Sequence, residues 1–280
     1  IGCPPLKMSG SARLAQSNFL HPFQKDYLKV YNIMGYEVLI IAAIYKELEG
    51  LCDRVEVSSQ TRTGGNLKIR GRLAGQTICL LATGPGLVNT ALTLTAAIEA
   101  VRPALVIQTG CAGAFQEAGL VWGDIGIASK EIDAQFGVEI PGEDAIVSPL
   151  PFPILEKGKL SVKNVYPIDP SLVEMAHSAL KETMPDKSVR IGVGPFVTVV
   201  TVTATDARAK RLHGKYAALM ENMEGAAAAH VCMRYDIPFV EIRSVSNRVG
   251  CRDKNAWNLP LAFNRASQAV YSMSAKGYPR

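Results

Sequence analysis

Short, continuous apolar runs alternate along this chain with stretches of helical period, and that alternation narrows the folds open to it. Residues 38–44, 77–82, 104–108, 124–128, 197–202 and 239–244 are β-branched runs bounded by Gly or Pro. Continuous rather than alternating hydrophobicity is the pattern of strands buried on both faces. Between them, residues 88–101 carry Leu92, Leu94, Ala97 and Ile98 at helical spacing and stop before Pro103. Asp169-Pro170 signals a helix start, so a helix is predicted over 171–184. An Ala-rich helix is expected over 222–235 and a last one over 261–275. Residues 137–165, rich in Pro and Gly, read as a long loop region over a site or at a subunit contact. The predicted fold class is α/β: a single-domain three-layer fold with a central mixed, largely parallel sheet flanked by helices. Residues 36–280 are expected to form this domain, with residues 1–35 as an N-terminal extension, non-native or mobile.

Composition excludes several function classes. A net charge of +5, with Lys and Arg dispersed rather than clustered, argues against nucleic acid as a partner. No apolar run approaches the roughly 18 residues of a membrane span, so no membrane association is expected. The six cysteines form no C-x-x-C pair and the four histidines show no metal-ligand spacing. Buried free thiols in a reducing, cytoplasmic setting are the expectation, and no metal site is implied.

Ligands of open α/β sheets gather beyond the carboxyl ends of strands. The residues that follow the predicted strands include Glu47, Gly84-Pro85-Gly86, Thr109-Gly110-Cys111-Ala112-Gly113, Thr203-Ala204-Thr205-Asp206 and Val245-Ser246-Asn247-Arg248. The Ala-rich helix begins Asn222-Met223-Glu224-Gly225. Each element alone has an ordinary reading: Glu47 as a solvated helix-start carboxylate, Gly84-Pro85-Gly86 as plain turn chemistry, Cys111 and Met223 as core. The glycines match neither the dinucleotide fingerprint nor the P-loop. Glu224 stands out, because a carboxylate before the small-residue run Gly225-Ala226-Ala227-Ala228 requires partners or a cavity.

In this order the motifs resemble the purine nucleoside phosphorylase / methylthioadenosine nucleosidase superfamily over about residues 37–275. Residues 40–47, 82–91, 107–114 with Gly123-Asp124-Ile125, and 222–247 carry the likeness. Within the superfamily, Ser246-Asn247-Arg248-Val249-Gly250 with Arg252-Asp253 and Trp257 looks most like the futalosine hydrolases. The resemblance implies cleavage of a purine N-glycosidic bond, here with hypoxanthine as leaving base. Glu224 then takes the ribose 2′- and 3′-hydroxyls and Met223 packs on the ribose. Glu47 positions and deprotonates water, with Arg243 and Cys111 near that water; the family often has Ser at the Cys111 position. Asn247 stands where adenine-specific members carry Asp, and its amide suits a 6-oxopurine. Arg248 and Arg252 are candidates for a substrate carboxylate, with a surface or structural arginine as an equal reading. The resemblance implies a nucleoside substrate, a homo-oligomer, and no cofactor, water being the second reactant. Alternatives are a phosphorylase, an adenine-specific nucleosidase acting on methylthioadenosine or aminodeoxyfutalosine, and a non-catalytic nucleoside-binding protein.

Overall fold

The computed structural model describes residues 38–142, 147–158 and 160–277, so the expectation for residues 1–35 lies outside the described residues. The described residues begin with β1 (Val38–Ala42), whose five residues are all buried. A 3-10 turn at Tyr45–Glu47 and a one-turn helix α1 (Glu49–Cys52) follow. Next comes a meander of β2 (Glu56–Thr63), β3 (Asn66–Leu73) and β4 (Gln76–Ala82). Helix α2 (Leu87–Ala100) leads to β5 (Leu105–Ala114), then β6 (Ile125–Asp133). The segment read as a loop holds four short strands, β7 (Val138–Glu139), β8 (Val147–Ser148), β9 (Leu155–Lys157) and β10 (Leu160–Val162), paired as two hairpin-like ribbons. The rest runs β11 (Val165–Pro167), α3 (Pro170–Thr183), β12 (Ile191–Thr198), α4 (Asp206–Tyr216), β13 (Met220–Asn222), α5 (Gly225–Arg234), β14 (Phe239–Arg248) and α6 (Leu259–Lys276).

The main sheet is mixed. β1 lies parallel to both β4 and β5, β14 is parallel to β5, and β12 is parallel to β6 and β13. β2, β3 and β4 pair antiparallel, as do β11 with β6, β13 with β5, and β14 with β6. The pairings β5–β14–β6–β12–β13–β5 close a ring of strands, so the functional strands converge instead of lying along one open edge. Leu39, Ile40, Ile41, Ile78, Leu80, Leu81, Val106, Ile107, Val240 and Ile242 form the buried centre. Each such side chain contributes about 1.5–3 kcal/mol by leaving water.

Helix ends follow local chemistry. The Asp169 side chain accepts from Ser171 N at 2.8 Å with Pro170 in the first turn, and the Asn258 side chain accepts from Leu261 N at 3.2 Å. In α5, Ala226, Ala227, Ala228 and Ala229 are all buried; methyl side chains let this helix lie close against α2 and the sheet. α6 packs along β14 and β5 and against α1 and α3.

Candidate active site

Glu47, Gly86, Cys111, Glu224 and Arg243 come from distant parts of the sequence and meet at the carboxyl ends of the parallel strands. Glu47 closes the turn after β1 and is 3% exposed. Its Oε1 accepts from Cys111 N at 2.9 Å and its Oε2 from Ile44 N at 3.2 Å. The Cys111 contact needs Gly110, which lies within β5 at φ +132 and where a Cβ would overlap Glu47 Oε1. Glu224 stands at the N-cap position of α5 and is 4% exposed. Its Oε1 accepts from Gly86 N at 3.0 Å, and its Oε2 accepts from Arg243 Nη2 at 3.1 Å.

Arg243 is the hub. It is buried on β14, donates through Nε to Glu241 Oε1 at 2.6 Å, and through Nη1 to the Cys111 carbonyl at 3.0 Å. Glu241, Glu224 and Glu47 together outweigh burial and hold its guanidinium protonated. Burial pushes the Glu47 carboxyl above its ordinary range, Arg243 and the two backbone donors pull it down, and Glu224 adds to the rise. Burial, and then the Glu47 carboxylate, keep the Cys111 thiol protonated.

A base, a fixed cation and a second carboxylate anchored at both oxygens suit a substrate that develops positive charge on a polyol ring. Glu47 can take a proton. Glu224 can accept from two hydroxyls while opposing cationic charge on the ring.

The other expected site residues lie outside this cluster. Met223 is half-buried beside Glu224. Asn247, also half-buried, is paired in register with Gly113. Its Oδ1 accepts from Ser246 Oγ at 2.8 Å and its Nδ2 donates to the Arg248 carbonyl at 3.1 Å. It lines a cavity of about 440 Å³ with Trp122, Val245, Arg248 and Cys251. Arg248 donates to Gln116 Oε1 at 2.8 Å and pairs with Asp206 at 3.2 Å. Arg252 stacks over Trp257 at 4.9 Å from the ring centroid. Sequence reasoning assigned no role to Glu131, Thr198, Asn222 or Glu241. The signal for Glu241 was present: an acid between Val240 and Ile242 in an apolar strand requires a buried partner.

Residues 37–275 match the phosphorylase superfamily. The chain belongs to that family. A futalosine hydrolase from Acidothermus cellulolyticus is 32% identical over 243 residues, covering 86% of this chain and 92% of the relative. A 5′-methylthioadenosine/S-adenosylhomocysteine nucleosidase from Bacillus cytotoxicus is 30% identical over 215 residues, covering 76% of this chain and 86% of the relative. Among solved structures, the futalosine hydrolase of Helicobacter pylori shares the phosphorylase-superfamily fold with a TM-score of 0.72 at 21% identity, covering 87% of this chain and 99% of that one. A Colwellia psychrerythraea nucleosidase in complex with adenine gives 0.71 at 23%, covering 86% and 95%. At these identities the structural likeness shows the fold alone. Among the described residues no helix is long and apolar enough to cross a membrane.

Proposed function

We propose that this chain hydrolyses the N-glycosidic bond of futalosine, releasing hypoxanthine and dehypoxanthine futalosine in menaquinone biosynthesis. The observation that carries the hydrolytic chemistry is the Glu47–Arg243–Glu224 cluster. Glu47 takes a proton from water, which attacks the anomeric carbon as the bond to the base breaks; the bonding pair leaves with the base, which takes a solvent proton at N7. Glu224 binds the ribose hydroxyls and steadies the oxocarbenium-like charge. Met223 packs on the ribose. Arg243 holds Glu224 and the Cys111 carbonyl in place, and the Cys111 backbone N–H fixes the Glu47 carboxylate. The buried carboxylate at the attack site would repel a phosphate dianion, which favours water over phosphorolysis.

Asn247 selects the base. Its amide offers a donor to a 6-oxo group and an acceptor for N7–H. Once N7 carries a proton, a 6-amino purine presents two donors and leaves the Asn247 Nδ2 mispaired, at a cost of about 1–3 kcal/mol, or ten- to a hundredfold in preference. Arg248 and Arg252 are the proposed partners for the substrate carboxylate, Arg suiting it as a bidentate donor. A cytoplasmic homo-oligomer completes the reading; Val88 and Leu92, one turn apart and exposed on α2, offer apolar surface to a second copy.

The nucleosidase relatives keep a second reading in view, activity on methylthioadenosine or aminodeoxyfutalosine. Chromatography of purines released from futalosine and methylthioadenosine, with and without phosphate, decides among these. Hypoxanthine from futalosine without phosphate is expected. Adenine release from methylthioadenosine, or strict phosphate dependence, overturns the proposal. Asn247→Asp should raise relative activity on 6-amino substrates by about ten- to a hundredfold. An unchanged 6-oxo preference removes Asn247 from base recognition.

A further inference from the structure

Beneath the Arg243 cluster lie two more acids, Glu131 on β6 and Glu241 on β14, both 0% exposed. Four carboxyl groups, those of Glu47, Glu131, Glu224 and Glu241, thus share one buried cation. Glu131 Oε2 accepts from Thr198 Oγ1 and Oε1 accepts from Asn222 Nδ2, both at 2.7 Å. Glu241 Oε1 accepts from Arg243 Nε at 2.6 Å, but Glu241 Oε2 is buried with no N–H or hydroxyl donor. The group beside that oxygen is the Glu131 carboxyl: a Cβ placed on Gly225 would overlap both Glu131 Oε1 and Glu241 Oε2. A proton on Glu131 gives the orphaned oxygen its missing donor and removes one of two adjacent buried negative charges.

Both arms of this pair end on Glu224. Through Glu131, Asn222 is oriented so that its Oδ1 caps Glu224 N at 2.9 Å and Gly225 N at 2.8 Å, and Thr198 Oγ1 accepts from Ala226 N at 2.8 Å. Through Glu241, Arg243 is oriented so that Nη2 reaches Glu224 Oε2 at 3.1 Å. One arm fixes the backbone of Glu224 and the other its carboxylate.

We propose that Glu131 and Glu241 form a proton-sharing carboxyl pair, Glu131 donating to Glu241 Oε2, that positions Glu224. The inference rests on the reading of Glu224 as the sugar-binding carboxylate. Burial and the neighbouring Glu241 push the Glu131 carboxyl well above the ordinary range, in the direction the geometry requires. Of the charged groups around the pair, Arg243 on β14 faces it directly, with Glu47 and Glu224 beyond. On the packed elements, Tyr166 of β11, in register with Glu131, and His230 of α5 bond to one another; burial disfavours charge on both.

The test uses the full chain. Infrared spectra at neutral pH should show a neutral-acid carbonyl band that Glu131→Gln removes. A wild-type-minus-variant spectrum showing only loss of ionised carboxylate overturns the pair. Glu241→Gln keeps an acceptor for Arg243 Nε and a donor toward Glu131, whereas Glu241→Met keeps only the volume. The Met variant should lower kcat/KM for futalosine by about ten- to a hundredfold relative to Gln. Equal activities reduce Glu241 to packing and overturn the positioning role. Glu131→Gln should also abolish the alkaline fall in kcat/KM that comes from deprotonating the pair; an unchanged profile counts against it. The infrared arm needs no turnover. A neutral-acid band in a protein inert toward futalosine would therefore overturn the functional reading and leave the pair standing.

Discussion

Glu47 concentrates the chemical argument at the scale of one residue. A base must be ionised to accept a proton, and burial lifts this carboxyl above its ordinary range. Activity should therefore fall on the acid side at a pH above the ordinary glutamate value of about 4.3. A pH–rate profile of kcat/KM checks this, and an acid limb at or below that value assigns the proton transfer to another group. Glu47→Gln should cost about 10²–10⁴ in kcat. Its amide nitrogen cannot accept, so either the Cys111 or the Ile44 N–H loses its partner, which offsets the lower desolvation of a neutral amide. A variant that keeps wild-type kcat would make Glu47 a structural residue.

Strand geometry governs how such residues meet. β5 continues through Gly110 at a φ that other residues rarely adopt, and this brings Cys111 N to Glu47. Gly110→Ala should cost about 1–3 kcal/mol of stability through backbone strain. It should also cost about a hundredfold in rate, since displacing the base by an ångström is enough for that. A melt together with steady-state kinetics reads both, and a variant with wild-type kcat would show that Glu47 need not stand there. The same strand marks a limit of the sequence reading: the apolar run stops at residue 108 and Thr109–Gly113 falls after it, whereas β5 continues to Ala114. The converse happened at 197–202: β12 starts at Ile191 and crosses Gly192, Gly194 and Pro195, held by pairing with β6 through a bulge. Local propensity cannot supply that pairing. β2 is almost wholly exposed and carries no apolar run, and α4 buries only Ala209 and Leu212, so neither announced itself. Capped helices such as α3 were legible because their signals are local. Glu47, Cys111, Glu224 and Arg243 were legible through their motifs. The meeting of Glu131 with Glu241 depends on the fold that brings β6 and β14 together, which no short stretch of sequence encodes.

Across the whole molecule, buried acids set how stability responds to pH. Glu47, Glu131, Asp133 and Glu221 all have carboxyls raised by burial. Between the ordinary carboxylate range and these raised values the native state binds more protons than the unfolded chain. The slope of unfolding free energy with pH is then negative, at most about 1.4 kcal/mol per pH unit for each extra proton. Asp169 and Asp186 are lowered, chiefly by hydrogen bonds from Ser171 and Ser188, and give the opposite sign. They act only below the ordinary aspartate range, and at the surface solvent screens them. The two sets therefore occupy separate windows; His230, its charge disfavoured by burial, opposes the raised acids within theirs, one group against four. The urea midpoint should fall from about pH 5 to about pH 8, and a midpoint that rises over that interval would contradict the burial argument. Repeating the titration with Glu47→Gln and with Glu131→Gln apportions the slope. Each should flatten it, because each removes a proton that the native state holds and the unfolded chain releases. If both do, the instability near neutral pH belongs to the acids proposed to activate water and to position Glu224, which a fold selected for stability alone would have replaced.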